Sequence, residues 1–262
     1  MNYIFIHGGP GLNSRPESQL FAPFIGSNDF YYWSEPSAQR KDEFNPAEAY
    51  GLSLMSLKAF ILKHSSYSPV TIVAHSFGSF LLNDLLPELG DRIRELILLC
   101  PVFDLSRLDQ NIADLGLRTL SQRGDKDAWE NYQALQLNMS EAFDERRFLT
   151  LVGALSMPEV LPAYWHNQER AAAYNECLKE EGWQIDFSSF KAVRETTPHD
   201  RVKNMFRGPT TVIYGRQDPV ARLEQDEVAM KFYYPKAQLH ILEASGHYPH
   251  IEETSEFFKI LK

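Results

Sequence analysis

Cysteine is scarce in this chain: Cys100 and Cys177 are the only two, too few for a disulfide framework. No Cys/His grouping has the spacing of a zinc site. Long apolar runs are missing as well, and none approaches the ~20 residues that span a bilayer. The N-terminal Met1-Asn2-Tyr3-Ile4-Phe5-Ile6 lacks the basic start and the small-residue cleavage site of a secretory leader, so a cytoplasmic protein is expected. Positive charge is in deficit, with 26 Lys and Arg against 35 Asp and Glu and a net charge of −9. That balance excludes nucleic acid as a partner, because phosphate binding needs clustered cations, and it disfavours an anionic membrane surface. Repeats and low-complexity segments are absent. What remains is 262 residues, 44% hydrophobic and 23% charged, enough for one large α/β domain or a core domain carrying an insertion.

Short β-rich runs alternate with helical patterns through the first hundred residues. Tyr3–Ile6 reads as a buried strand that breaks at His7-Gly8-Gly9-Pro10-Gly11. Phe30–Trp33 is a weaker strand ending before Pro36. Asn45-Pro46 opens a helix whose apolar residues Leu54, Leu57, Ile61 and Leu62 share one face up to about His64. Val70–Ala74 is a buried-type run rich in apolar and β-branched residues, as in the centre of a parallel sheet. A helical pattern follows at Phe80, Leu81, Leu82, Leu85 and Leu86, and Arg94–Cys100 is another strand. This rhythm implies right-handed βαβ units. It lapses between residues 104 and 207, where the stretches 108–122, 125–138, 141–154 and 167–181 look helical. It returns with a strand at Thr210–Tyr214, a helix at 222–234, a strand at Ala237–Leu242 and a last helix at about 253–261. The expected organisation is a core of residues 1–103 and 208–262 with a helical cap at 104–207.

In an open parallel sheet the strand C-termini converge on one edge, where ligands bind. Three residues with complementary chemistry stand just beyond strands: Ser76, Asp218 and His247. A serine hydroxyl needs a base to take its proton, and the base needs a third group to hold its tautomer. Ser76 lies in Ala74-His75-Ser76-Phe77-Gly78, where small residues on either side permit a sharp turn into a helix. Asp218 lies in the turn-forming Gly215-Arg216-Gln217-Asp218-Pro219, and His247 follows Ser245-Gly246.

These residues, in the order Ser, Asp, His, together with the glycine loop, make the chain resemble an α/β-hydrolase. Through His7-Gly8-Gly9-Pro10-Gly11 it resembles the proline iminopeptidase branch. The resemblance implies an α/β fold, with a mostly parallel sheet of about six strands flanked by helices and a helical cap inserted in it. It implies Ser76, Asp218 and His247 as a catalytic triad, with the amides of Gly9 and Phe77 as the oxyanion hole. His7, Gly8, Pro10 and Gly11 would shape the oxyanion loop. Three departures stand out. Ala74 replaces the first glycine of the elbow, Leu12 follows the loop where a further glycine is usual, and no antiparallel strands precede the first strand. A serine nucleophile also argues against the branches that attack with Asp.

Blander readings compete at each position. Ser76 could cap a helix. His250 rivals His247, and Asp104, after the strand ending at Cys100, rivals Asp218; the later Asp and the earlier His are preferred. His75 is read as packing. Tyr164 and Trp165 could line a substrate pocket, or pack in the core like Trp129, Tyr132, Tyr174 and Trp183. Among cap carboxylates, Glu141, Glu145, Glu169 and Glu176 could each hold a substrate amine, as that family's aminopeptidases do. The expected activity is acyl transfer to water from a small-molecule or short-peptide substrate, with no metal or organic cofactor. The same loop resemblance extends to esterases, lactonases and carbon–carbon bond hydrolases, and a silent ligand-binding module is the alternative outside enzymes.

Overall fold

A computed structural model describes residues 2–26, 29–36, 48–123, 126–127, 130, 161–179, 193, 196 and 206–261. Six strands form one sheet: β1 (Asn2–Ile6), β2 (Asp29–Trp33), β3 (Val70–His75), β4 (Ile93–Leu99), β5 (Thr210–Gly215) and β6 (Gln238–Leu242). Their order is β2-β1-β3-β4-β5-β6. Every neighbouring pair is parallel. Consecutive parallel strands need crossovers, and helices supply them. The helices of the described residues are α1 (Arg15–Ile25), α2 (Ala49–His64), α3 (Phe77–Leu89), α4 (Leu105–Arg123), α5 (Gln168–Lys179) and α6 (Leu223–Tyr233) between strands, and α7 (Pro249–Glu252) and α8 (Thr254–Ile260) after the last strand.

Strand side chains divide with period two. Ile4, Ile6, Ile72, Ala74, Leu96, Leu98, Val212 and Tyr214 face a core shared with α2, α3 and α6, represented by Leu57, Phe80 and Met230. Tyr3, Phe5, Val73, Ile97, Leu99 and Ile213 face the opposite core, shared with α1, α5, α7 and α8 through Phe21, Tyr174, Ile251 and Phe257. Helix layers therefore cover both faces, which explains why β3 and β5 are buried at all six positions.

The strand bounds fall within a residue of those expected from the sequence. Helix α1 has no counterpart in that reading, because Pro16 and Pro23 interrupt its pattern. Pro16 sits in the first turn, where its missing N–H costs nothing, and Pro23 lies in the last turn. In the expected cap, α4 and α5 are described and helical. The expected helices 125–138 and 141–154 lie largely or wholly outside the described residues, as do Glu141, Glu145, Trp129, Tyr132 and Trp183. Among the described residues no helix is long and apolar enough to cross a membrane.

Candidate active site

Strand β3 delivers Ser76 directly into α3. Its backbone holds φ 48° and ψ −121°, a sparsely populated conformation that costs ~1–3 kcal/mol. The turn is retained by hydrogen bonds: Ser76 N–H donates to Leu99 O (2.9 Å), and the Ser79 hydroxyl donates to Ser76 O (2.6 Å). The glycine loop presses against this elbow. A Cβ on Gly78 would stand 2.4 Å from His7 O, and one on Gly8 would stand 3.2 Å from Ser76 Cβ. Only hydrogen fits at both positions.

Ser76 makes no side-chain cap to its own helix. Its hydroxyl is instead 2.9 Å from His247 Nε2, and His247 Nδ1 is 2.8 Å from Asp218 Oδ2. All three residues are buried, at 6%, 3% and 8% exposure. Asp218 Oδ1 accepts the amides of Val220 (2.8 Å) and Ala221 (3.0 Å), so its carboxylate can turn only its other oxygen toward the imidazole. Asp104 stands elsewhere. It is exposed at the start of α4, where Oδ1 accepts Arg107 N–H (3.1 Å), the geometry of a helix cap.

Several contacts fix His247 through its backbone. His75 Nε2 is 2.8 Å from His247 O. The His247 amide donates to Tyr164 O (2.8 Å). The Glu252 carboxylate binds Gly246 N–H through Oε1 (2.8 Å) and the His166 and Asn167 amides through Oε2 (2.8 and 2.6 Å). One buried side chain thus joins the His247 loop to the turn Leu161–Tyr164. Tyr164 is half-buried with its ring edge-on to His247 (5.5 Å). Trp165 stacks on Tyr248 (4.1 Å) and packs in the core at 6% exposure. His250 is fully buried among Phe5, Phe21 and His75, 3.6 Å from the Glu17 carboxylate, while the Ser76 hydroxyl pairs with His247.

One residue that sequence reasoning missed is Glu35. Its Oε2 accepts Gly11 N–H (2.7 Å), and its own N–H donates to His7 Nε2 (3.2 Å). Glu35 therefore grips both ends of the His7–Gly11 loop. His7 Nδ1 in turn bonds Gly8 O, and the ring stacks on Trp33. With Nδ1 donating and Nε2 accepting, His7 is a neutral imidazole, and burial lowers its pKa to about 4. Gly9 carries φ 138°, and Phe77 opens α3 immediately after Ser76.

Burial pushes the Glu35 carboxyl up to about 7, against the opposing pull of the Gly11 amide. An acid raised in the folded state binds its proton more tightly there than in the unfolded chain. Its contribution to stability is thus fully present below 4.5 and lost as pH rises through about 7. Glu35→Gln keeps an acceptor for Gly11 and cannot ionise. Relative to wild type, its unfolding free energy from urea titration should therefore improve on going from pH 4.5 to 8, by up to about 3 kcal/mol. Glu35→Ala removes the grip, and its turnover should fall about tenfold or more with folding intact by circular dichroism.

The alpha/beta hydrolase fold family model matches residues 3–254. No curated protein matches the chain in sequence. Among solved structures, a proline iminopeptidase-related protein from Thermus thermophilus superposes with a TM-score of 0.66 and 16% identity, covering 100% of this chain and 87% of the other. A 2-hydroxy-6-oxo-6-phenylhexa-2,4-dienoate hydrolase from a Rhodococcus species gives 0.64 and 14%, covering 99% and 88%. An esterase from Exiguobacterium antarcticum gives 0.64 and 13%, covering 100% and 90%. At such identities the likeness is one of fold.

Proposed function

The chain belongs to the alpha/beta hydrolase family, and from that premise we propose that it is a serine hydrolase working through an acyl-enzyme on a small ester or amide. The observation that carries this reading is the continuous relay from Ser76 Oγ through His247 to Asp218, at 2.9 and 2.8 Å. His247 Nε2 takes the hydroxyl proton as Ser76 attacks a carbonyl carbon. Asp218 holds the proton on Nδ1 and stabilises the imidazolium. The developing oxyanion is received by the amides of Gly9 and Phe77, each donor contributing ~3–4 kcal/mol in comparable sites. His247 then protonates the leaving group, and water repeats the sequence on the acyl-enzyme.

Residues 104–207 form the substrate-selecting cap in this reading. Its described parts support that role: Tyr164 lies edge-on to His247, and Glu252 ties the Tyr164 turn to the His247 loop. The finer assignment is a proline iminopeptidase-like aminopeptidase, argued from the His7–Gly11 loop, with the exposed Glu169 and Glu176 among the candidate amine partners. Steady-state turnover of a proline arylamide and of short acyl esters of nitrophenol tests both levels. Cleavage of the arylamide supports the peptidase. Ester cleavage alone removes the peptidase and leaves a carboxylesterase. A chain that turns over neither, nor any carbonyl substrate of similar size, is not a serine hydrolase.

A further inference from the structure

Strand β4 ends at Cys100, a residue without a part in the acyl-transfer scheme. It is fully buried and carries φ 42°. Ser76 and Cys100 are the only non-glycine residues with positive φ among those described, and they stand at the ends of adjacent strands. The Cys100 amide donates to Ile213 O (2.8 Å), which holds the turn against β5 just before the Asp218 loop. The side chain is thereby brought under the relay: one ligand atom each from Cys100, Asp218 and His247 lie within 4.8 Å of one another. Sulfur, carboxylate oxygen and imidazole nitrogen make a donor set suited to a borderline-soft divalent ion. Metal–ligand distances of ~2.0–2.3 Å separate tetrahedral ligands by roughly 3.2–3.8 Å, so the three atoms need to move by only about an ångström.

We propose that Cys100, Asp218 and His247 form an inhibitory site for zinc-like divalent cations, which switch the enzyme off by capturing the inner nitrogen of its base. The thiol loses its proton to solvent and binds as thiolate. His247 binds through Nδ1, so the ring's single proton must sit on Nε2. One proton is released overall, and the imidazole stays neutral. In that tautomer Nε2 donates and cannot take the proton of Ser76. In the metal-free protein, burial and the neighbouring Asp218 hold the thiol protonated, which keeps it inert. The metal site rests on the cluster alone. Its inhibitory consequence rests on the serine-hydrolase reading.

Cadmium is the probe, because its bond to thiolate absorbs in the ultraviolet. The full-length, reduced, chelator-treated chain is titrated while absorption and ester turnover are recorded together. Cys177 is partly exposed and serves as the control. For wild type and Cys177→Ser the expected result is a thiolate–cadmium band, with turnover lost in step with it and both reversed by chelator. Cys100→Ser, or Cys100→Ala should the serine variant fold poorly, should lack that band. It should also need at least roughly 100-fold more metal for the same fractional loss of its own metal-free rate. Zinc should reproduce the loss of turnover. A band that follows Cys177, or equal inhibition of the Cys100 variants, overturns the proposal. A band that follows Cys100 with turnover unaffected overturns the switch. A chain without ester turnover overturns the hydrolase reading, while the absorption titration still decides the metal site.

Discussion

Ser76→Ala should lower turnover of any acyl substrate by on the order of 10⁶-fold, leaving only the catalysis that oriented binding and the oxyanion donors supply. The expected loss is large because nothing nearby can replace the hydroxyl. Ser79 is the next serine along α3, but its hydroxyl is committed to Ser76 O and to the Val102 amide. Folding should survive. The strained backbone at residue 76 is held by main-chain bonds to Leu99 and Ser79, and alanine leaves both in place. Substrate binding, read from inhibition of a second substrate or from calorimetry, should change little. That pattern separates lost chemistry from a lost site.

Asp218→Asn should cost about 10⁴-fold in turnover, for a reason specific to this loop. The amides of Val220 and Ala221 both donate to Oδ1, so an asparagine must turn its carbonyl oxygen toward them. Its NH₂ then faces His247 Nδ1, which must accept. The ring proton moves to Nε2, and the base is lost with its geometry intact. The same tautomer is the one a metal at Cys100 would impose. Asp104→Asn provides the contrast, since that exposed carboxylate caps α4 and pairs with the Arg107 guanidinium at 3.9 Å, and its rate should stay within about twofold of wild type. Nearly equal losses in the two variants would mean that Asp218 does not orient the base.

Much of this architecture is legible because parallel strands buried on both faces are dominated by apolar and β-branched residues. Val70–Ala74 and Thr210–Tyr214 advertise themselves for that reason. The candidate serine, acid and histidine, which the structure brings together, are picked out by one rule, that chemistry gathers just beyond strand ends. Applied to β2, the same rule selects Glu35, an acid two residues past Trp33; the weak strand and the absence of a motif around it hide the choice. Glu252 and Glu253 are harder to find. Their work is to accept backbone amides: Glu252 takes those of Gly246, His166 and Asn167, and Glu253 takes that of Ala244 and the Ser245 hydroxyl. Such bonds leave no spacing to read. Trp165 illustrates the opposite difficulty. An aromatic beside a candidate pocket and an aromatic in the core look alike in sequence, and only stacking on Tyr248 separates them. The Cys100 cluster is purely three-dimensional, since its members come from the ends of β4, β5 and β6.

Labelling of the native chain with a fluorophosphonate, followed by peptide mass spectrometry, tests the central claim most directly. The reagent reacts only with a serine whose proton a neighbouring base can take, whatever the true substrate is. The expected result is a single adduct on the peptide containing Ser76, abolished by prior heat denaturation and by Ser76→Ala. A native wild-type chain that stays unlabelled, or an adduct that maps to another serine, would contradict the account.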